Sequence, residues 1–291
     1  MSKPRLIVKL IGTAQDGGFP QAGCRCAHCL AAKANPVLRR TPAALALILP
    51  EAKHWHLVDA TPSLPEQLAM VQESYPEMGV MQSVTLTHAH IGHYTGLMHL
   101  GREVMSTKNL PVYAGEGMTE LLRHHAPWKQ LVDLRNITLQ TMHAEETFAL
   151  DEGLSVTPLL VPHRNEFAET FGFIIAGPSR KLLYIPDIDR WEQWDRDLSE
   201  VASEMDFCLL DATFYSPDEL AKRGRDYREV PHPLITTTMD LLQGVVDAGK
   251  TKVYLTHLNH TNPAVMPDHE VRKQIRQRKF YLADEGMEME I

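Results

Sequence analysis

Short apolar runs, separated by polar and helix-breaking residues, recur along the whole chain. Runs of this length are typical of buried strands. We predict ten strands, at residues 5–11, 43–49, 56–59, 81–87, 111–114, 154–161, 171–176, 181–186, 206–212 and 252–257. Apolar residues with helical spacing predict five helices, at residues 63–74, 118–125, 191–205, 235–248 and 268–278.

Strands that alternate with helices predict an α/β fold of stacked sheets with the helices outside. No low-complexity segment, linker or charge block divides the chain, so we predict one domain over residues 1–291. With 44% hydrophobic and 23% charged residues, the chain has the composition of a protein with a packed core.

The segment 1–16 has only a short apolar run, interrupted by Lys9, and lacks the pattern of a signal peptide. No stretch approaches the roughly 18 apolar residues of a membrane span. These features predict a soluble, cytoplasmic protein that does not bind membranes.

A net charge of −8 argues against long nucleic acids as partners, because binding to a phosphate backbone needs a basic surface. Small anionic substrates remain compatible with the sequence, since a bound metal reverses the local potential. We therefore expect a small-molecule substrate. The sequence leaves open whether the chain forms a homodimer.

Three histidines, His88, His90 and His93, follow the predicted strand at 81–87 within six residues. In an extended chain, the first two point to one face. Neutral imidazoles on a stiff backbone are the donors that zinc, iron and manganese require. The triplet therefore predicts a metal site.

Polar residues close four other apolar strands, namely His163, Asp187, Asp211 and His257. Any one of them could merely cap its strand. Together they indicate that side chains from several strand ends meet at one rim of a sheet.

Three of the four cysteines, Cys24, Cys26 and Cys29, lie within six residues. A tetrahedral structural zinc needs a fourth donor, and we favour His260, because its loop could also bring His257 to the other metals. His28 is the weaker candidate, since it lies inside the cysteine loop. A redox pair or three ordinary buried thiols are the alternatives.

The segment HAHIGH resembles the H-x-H-x-D-H signature of the metallo-β-lactamase superfamily. The segments GTAQDGGFPQAGCRCAHC, LVDATPSLPEQL, LLDATFY, THLNHTNP and ADEGMEMEI resemble the pyrroloquinoline quinone biosynthesis protein B group. The structural metal site of that group is shared by the cyclic phosphodiesterase of the phosphonate pathway. The resemblance covers nearly the whole chain and implies the αβ/βα sandwich, in which two mixed sheets pack together.

The resemblance also implies a ligand set for the active site. His88, His90 and His163 would hold a first metal, His93 and His257 would hold a second, and Asp187 would bridge them. One or two divalent metals (Zn, Mn or Fe) are thus expected there, besides one structural Zn. Two ions roughly 3.5–4 Å apart could share an attacking hydroxide.

The sequence departs from the signature at Gly92, where the superfamily has aspartate. Glycine has no side chain to coordinate a metal, so we expect a weaker second site. Loss of this carboxylate makes a single-metal or iron-containing enzyme credible.

His232 precedes the predicted helix at 235–248 and resembles a histidine that assists proton transfer in phosphodiesterases of the superfamily. With its ordinary pKa near 6.5, a histidine can donate to a leaving oxygen. A helix-capping or surface role is the alternative. Asp16 and Asp59 could orient ligand histidines.

Three functions are compatible with these residues. The first is a metal-dependent hydrolase of a small phosphodiester or cyclic phosphate, with His232 and Asp187 in catalytic roles and metal-bound hydroxide as the nucleophile. The second, suggested by the resemblance to the quinone group, is an iron-dependent oxygenase or biosynthetic enzyme. The third is a metal-binding protein without catalysis, against which the almost complete ligand set argues.

Overall fold

The computed structural model describes residues 5–221 and 224–291. Its strands, numbered in chain order, are β1 (Ile7–Gly12), β2 (Ala44–Leu49), β3 (His54–Val58), β4 (Met81–Thr85), β5 (Leu110–Ala114), β6 (Ile137–Thr141), β7 (Phe148–Asp151), β8 (Leu154–Leu160), β9 (Phe171–Ala176), β10 (Lys181–Ile185), β11 (Phe207–Asp211), β12 (Lys252–Thr256), β13 (Tyr281–Leu282) and β14 (Glu288–Glu290). The α-helices are α1 (Ala27–Ala34), α2 (Leu64–Ser74), α3 (Ile91–Tyr94), α4 (Glu116–His124), α5 (Trp128–Asp133), α6 (Leu198–Ser203), α7 (Pro217–Ala221), α8 (Ile235–Asp247) and α9 (Glu270–Gln277).

The strands form two seven-stranded mixed sheets with mirrored organisation. The first has the order β14-β1-β2-β3-β4-β5-β6 and the second the order β13-β12-β11-β10-β9-β8-β7. In the first sheet β14, β1, β2 and β3 pair antiparallel, and β3 to β6 pair parallel. In the second, β7 to β10 pair antiparallel and β10 to β13 pair parallel.

Three apolar clusters define the layers. One lies between the sheets and includes Leu47 and Phe173, from β2 and β9. A second lies between the first sheet and its helices and includes Leu64 of α2 and Met118 of α4. The third covers the outer face of the second sheet with α6, α8 and α9. Because one face of each sheet packs on helices and the other on the second sheet, the strands are near-continuous apolar runs.

This architecture confirms the predicted αβ/βα sandwich with helices outside. The single domain over residues 1–291 remains a prediction, and residues 1–4 and 222–223 lie outside the described residues. Within the described ranges, no helix has both the length and the apolar character needed to cross a membrane.

The predicted helix at 191–205 is wrong in its first half. A short 3-10 turn occupies Trp191–Gln193, and α6 begins only after Asp197, whose carboxylate accepts hydrogen bonds from the amides of Ser199 and Glu200. Aspartate is a favourable N-cap residue, so α6 begins here and the preceding 3-10 turn remains a separate element. The predicted helix at 235–248 agrees with α8, which ends at Asp247, shortly before Gly249 with its φ of 82°.

A polar contact joins the sheets at β3 and β7. The Nε2 atoms of His54 and His56 both contact Oδ2 of Asp151, the second at 3.4 Å. His56 is buried, and its Nδ1 lies 2.8 Å from Oγ of Ser83. These contacts offset the free-energy cost of burying the polar side chains.

Candidate metal centre

The carboxyl ends of the parallel strands bring the predicted site residues to one edge of the sandwich. In the second sheet Ile185 lies opposite Leu210, and Asp211 lies opposite Thr256. Residues that follow these strands, including Asp187 and His257, therefore emerge side by side. Ligands of open α/β sheets bind at this kind of edge.

A first donor group consists of His88, His90, His163 and Asp187. Nδ1 of His90 lies 3.0 Å from Nε2 of His88 and 3.0 Å from Nε2 of His163. Oδ2 of Asp187 lies 3.4 Å and 3.1 Å from the same two nitrogens. Nitrogen and oxygen ligands about 2.1 Å from a tetrahedral ion are about 3.4 Å apart. The separations therefore fit one divalent ion.

A second donor group consists of Asp16, His93, Asp187 and His257. Oδ1 of Asp16 lies 3.3 Å from Nε2 of His93 and 3.6 Å from Nε2 of His257. Oδ2 of Asp187, which belongs to the first group, lies 3.9 Å from Nε2 of His257. The two groups thus meet at one carboxylate.

Unpaired buried atoms converge on the second group. Within residues 5–221 and 224–291, three of its side-chain atoms are buried without a hydrogen-bond partner, namely Asp16 Oδ1, His93 Nε2 and His257 Nε2. Buried polar atoms without partners are rare, and an ion is one of the explanations for them. The chemistry of the donors and their lack of partners both fit a divalent metal.

Neighbouring oxygens orient four of the histidines, so that Nε2 faces the centre. The contacts of their Nδ1 atoms are His88 with Thr87 Oγ1 at 2.9 Å, His93 with Asp59 Oδ2 at 2.8 Å, His163 with Asp189 Oδ1 at 2.7 Å and His257 with Thr213 Oγ1 at 2.9 Å. Such contacts fix the ring and its tautomer, as at known metal sites. The proposed orienting role of Asp59 thus agrees with the geometry, and Asp189, Thr87 and Thr213 are additional contacts that the sequence did not indicate.

The centre is exposed at two of its members. The side chains of His90 and Asp16 are 11% and 25% exposed, whereas those of His88, His93, His163, Asp187 and His257 are almost completely buried. His90 also differs in orientation, because its Nδ1 faces the centre and its Nε2 lies 3.1 Å from Oε2 of Glu166. A substrate can therefore approach beside His90 or Asp16.

The carboxylates of the centre are strongly acidic. Burial raises the pKa of Asp187, but the charges of His232, His163 and His257 outweigh it and hold that pKa well below its usual value. Burial also opposes ionisation of Asp16, yet the adjacent imidazoles of His257 and His93 lower its pKa far below normal. Both side chains are consequently anions at neutral pH, as metal ligands should be.

His232 lies beside this centre and is buried. Its Nδ1 contacts Oδ2 of Asp211 at 2.9 Å and Oδ1 of Asp187 at 3.2 Å. Burial lowers the pKa of His232, but the charges of Asp211 and Asp187 dominate and raise it to about 10. The surface alternative is wrong because His232 is buried. The capping alternative is wrong because α8 begins after Leu234 without a side-chain cap. With His257, these residues form a further donor group.

Cys24, Cys26, Cys29 and His260 form a separate donor group. Nδ1 of His260 lies 3.6, 3.6 and 3.4 Å from the three sulfur atoms in that order. His28 instead directs its Nδ1 to the carbonyl oxygen of His260, at 3.1 Å. Three sulfurs and one nitrogen at these separations fit tetrahedral zinc.

A cleft of about 460 Å³ adjoins Asp16. Polar side chains line it, among them Gln15, Asn259 and Arg225. The arginine is exposed and follows α7. The cleft therefore offers space for a small molecule and one positive charge beside the centre.

The weaker second site expected from Gly92 stays a prediction, but the carboxylate of Asp16 lies beside this glycine. A Cβ atom at position 92 would lie 2.5 Å from Oδ1 of Asp16, so the side chain of Asp16 occupies the adjoining space. Sequence reasoning gave Asp16 only an orienting role, because this residue lies far from the histidine motif. The glycine-rich segment around it was the only signal in the sequence.

Comparison with known proteins identifies relatives of the whole chain. Residues 54–258 match the model of the "Beta-lactamase superfamily domain". The coenzyme PQQ synthesis protein B of Methylobacterium sp. (strain 4-46) is 27% identical, over 96% of this chain and 97% of its own length.

Two solved structures share the fold. Zn(2+)-bound PqqB from Methylobacterium extorquens superimposes with a TM-score of 0.83 and 25% identity, covering 98% of this chain and all of the other. A diphosphatase from the PhnP family superimposes with a TM-score of 0.71 and 21% identity, covering 99% and 97% of the two chains. The second likeness shows the fold alone.

Proposed function

The chain belongs to the β-lactamase superfamily, and from that premise we propose that it is a metal-dependent hydrolase of a small phosphodiester or cyclic phosphate. The observation that carries this proposal is the position of Asp187. Its Oδ2 lies 3.1 Å from His163 Nε2 in one donor group and 3.9 Å from His257 Nε2 in the other. A carboxylate between two sets of donors suits a pair of closely spaced ions.

In this proposal His88, His90 and His163 would hold a first divalent ion, while His93 and His257 would hold a second. Asp187 would be a donor in both sets. Such a pair of ions would lower the pKa of bound water and offset the charge that develops on a phosphate oxygen. Zn, Mn or Fe would suit these donors. The PqqB structure that resembles this chain is zinc-bound.

His232 is assigned to proton transfer to the leaving oxygen. Its Nδ1 is held by Asp211 and Asp187, whereas its Nε2 lies 3.5 Å from Nε2 of Gln15, which lines the cleft. The second nitrogen therefore lies towards the substrate, as proton transfer requires.

The cleft supports a small, anionic substrate. Arg225 would attract a phosphate, and Gln15 and Asn259 could hydrogen-bond to its oxygens. The net charge of −8 disfavours a long nucleic acid. In the separate thiolate group, Cys24, Cys26, Cys29 and His260 would hold a structural zinc.

The second candidate function is a step in quinone cofactor biosynthesis, including iron-dependent oxygenation. The similarity to coenzyme PQQ synthesis protein B over 96% of the chain favours it. Gly92 does not favour this second candidate, because Asp16 occupies the space beside this residue.

The test starts from protein purified without chelators. Metal content per chain is measured, followed by hydrolysis of bis-p-nitrophenyl phosphate and by oxygen consumption. We expect hydrolysis that is lost after chelation and restored by Zn²⁺ or Mn²⁺. His124→Ala, which alters an exposed histidine outside the donor groups, serves as the control and should retain full activity.

Oxygen consumption with bound iron and no hydrolysis would support the second candidate instead. Full metal loading with neither activity would leave a metal-binding protein without catalysis.

A further inference from the structure

We propose that Asp16 supplies the metal-binding carboxylate that the histidine motif lacks at Gly92. The ligand is thus moved to another loop rather than lost. This inference rests on the proposed function, because it concerns an ion of the same centre. It differs from the sequence expectation, which was a weakened second site.

The first observation is that the two positions exclude each other. A Cβ atom at Gly92 would come within 2.5 Å of Oδ1 and 2.6 Å of Cα of Asp16. Separations below about 3 Å between such atoms are strongly repulsive. Glycine at position 92 is therefore what allows the loop of Asp16 to approach, and a motif aspartate would displace it.

The second observation is the direction of the Asp16 carboxylate. Its Oδ1 lies 3.3 Å from Nε2 of His93 and 3.6 Å from Nε2 of His257. Within the part of the chain that the structure describes, all three atoms are buried and lack hydrogen-bond partners. With Asp187, the group has two imidazole nitrogens and two carboxylate oxygens, a suitable donor set for a divalent ion.

The third observation is that the backbone fixes Asp16 next to a ligand histidine. The amide of Gln15 donates to the carbonyl of Leu258 at 3.0 Å, and the amide of Leu258 donates to the carbonyl of Thr13 at 2.9 Å. Asp16 directly follows Gln15, and His257 directly precedes Leu258. Both residues therefore lie next to this hydrogen-bonded pair. A carboxylate held on a paired backbone is preorganised, which favours ion binding.

The substitution Asp16→Asn tests the inference, because it keeps the shape of the side chain and removes its charge. Protein that retains its thiolate zinc is stripped of other metals with a mild chelator and titrated with Zn²⁺ against a fluorescent competitor. We expect two further ions per wild-type chain. In the variant, we expect one ion to bind with wild-type affinity and the other at least about 100-fold more weakly.

Two other variants sharpen the result. Asp189→Asn alters a carboxylate that contacts His163 instead, so it should weaken the ion of the first group and spare the second. Gly92→Ala places a Cβ against Asp16 without changing any donor, and it should reproduce the loss seen with Asp16→Asn. Unchanged circular dichroism and thiolate zinc in Asp16→Asn would show that the variant is folded.

The outcomes separate the inference from the proposed function. Two further ions of unchanged affinity in Asp16→Asn would overturn the role of Asp16 and leave the two-ion centre standing. If the wild type binds only one ion beyond the thiolates, the two-ion centre itself fails, and the inference fails with it.

Discussion

The thiolate group and the histidine-carboxylate centre share two segments of the chain but differ in their donors. The segment of residues 15–29 supplies Asp16 to the centre and three cysteines to the thiolate group. The segment of residues 257–260 supplies His257 to the centre and His260 to the thiolate group. A backbone hydrogen bond from Gln15 to Leu258 joins the two segments, and a second, from Leu258 to Thr13, lies next to it.

The thiolate group and the centre differ in how completely their donors would surround an ion. The thiolate group is a set of four, with each sulfur 3.4 to 3.6 Å from one nitrogen. The centre combines overlapping groups that share Asp187 and are exposed at His90 and Asp16. Closed sets of four suit structural zinc, whereas catalysis requires an open position. The same two segments of the chain can therefore supply donors to a closed structural set and to an open set.

The largest effect should come from breaking the thiolate group. Cys29→Ser removes a sulfur ligand, so zinc should be lost and the midpoint of thermal unfolding should fall by on the order of 10 °C. Calorimetry and metal analysis of the purified variant measure the two effects. Cys208→Ala is the matched control, because this cysteine lies in the core and outside the thiolate group. It should retain zinc, and a variant of Cys29 that did likewise would refute the structural role.

The next effect should come from the shared carboxylate. Asp187→Asn removes one anion from both donor groups, so hydrolysis should fall by at least about 10³-fold, with loss of ions from the centre. Metal analysis should still find one zinc per chain at the thiolates. Loss of the thiolate zinc as well would mean that the two regions are not independent.

A smaller effect is expected from the carboxylates that orient ligand histidines. Asp59→Asn leaves the donors in place but disturbs the contact with Nδ1 of His93, so metal affinity of the second group should fall by about 10- to 100-fold. Titration with Zn²⁺ measures this change. A smaller loss is expected in the first group, because Asp59 also accepts from Oγ1 of Thr87, which contacts Nδ1 of His88. Equal weakening of both groups would contradict the closer link of Asp59 to His93.

Much of the fold and of the first group was predictable from local patterns. Apolar runs located ten of the strands, and the motif of His88, His90 and His93 indicated metal chemistry directly. The short strands β6, β7, β13 and β14 were missed, because β13 has two residues and β6 is partly exposed. Helix α1 was missed because it begins within the cysteine segment, with Cys26 as its N-cap.

The place of Asp16 in the second group could not be derived in the same way, although the resemblance implied His93, Asp187 and His257. Asp16 precedes His93 by many residues, and only tertiary packing brings the two side chains together. The orienting contacts of Asp189 and Thr213 also depend on strand-end geometry, which a local pattern does not contain. The absence of a ligand residue from a motif is therefore weak evidence that the metal lacks a ligand there. A side chain from another loop can occupy the same space.

The separation of the donors along the chain has a consequence for biosynthesis. His88, His90, His163 and Asp187 have all been translated once the first two-thirds of the polypeptide is made. Asp16 and the N-terminal cysteines must wait for His257 and His260, which are among the last residues translated. Domains generally fold as units. The nascent chain should thus acquire its sulfur-bound ion only near termination, when the whole domain can fold.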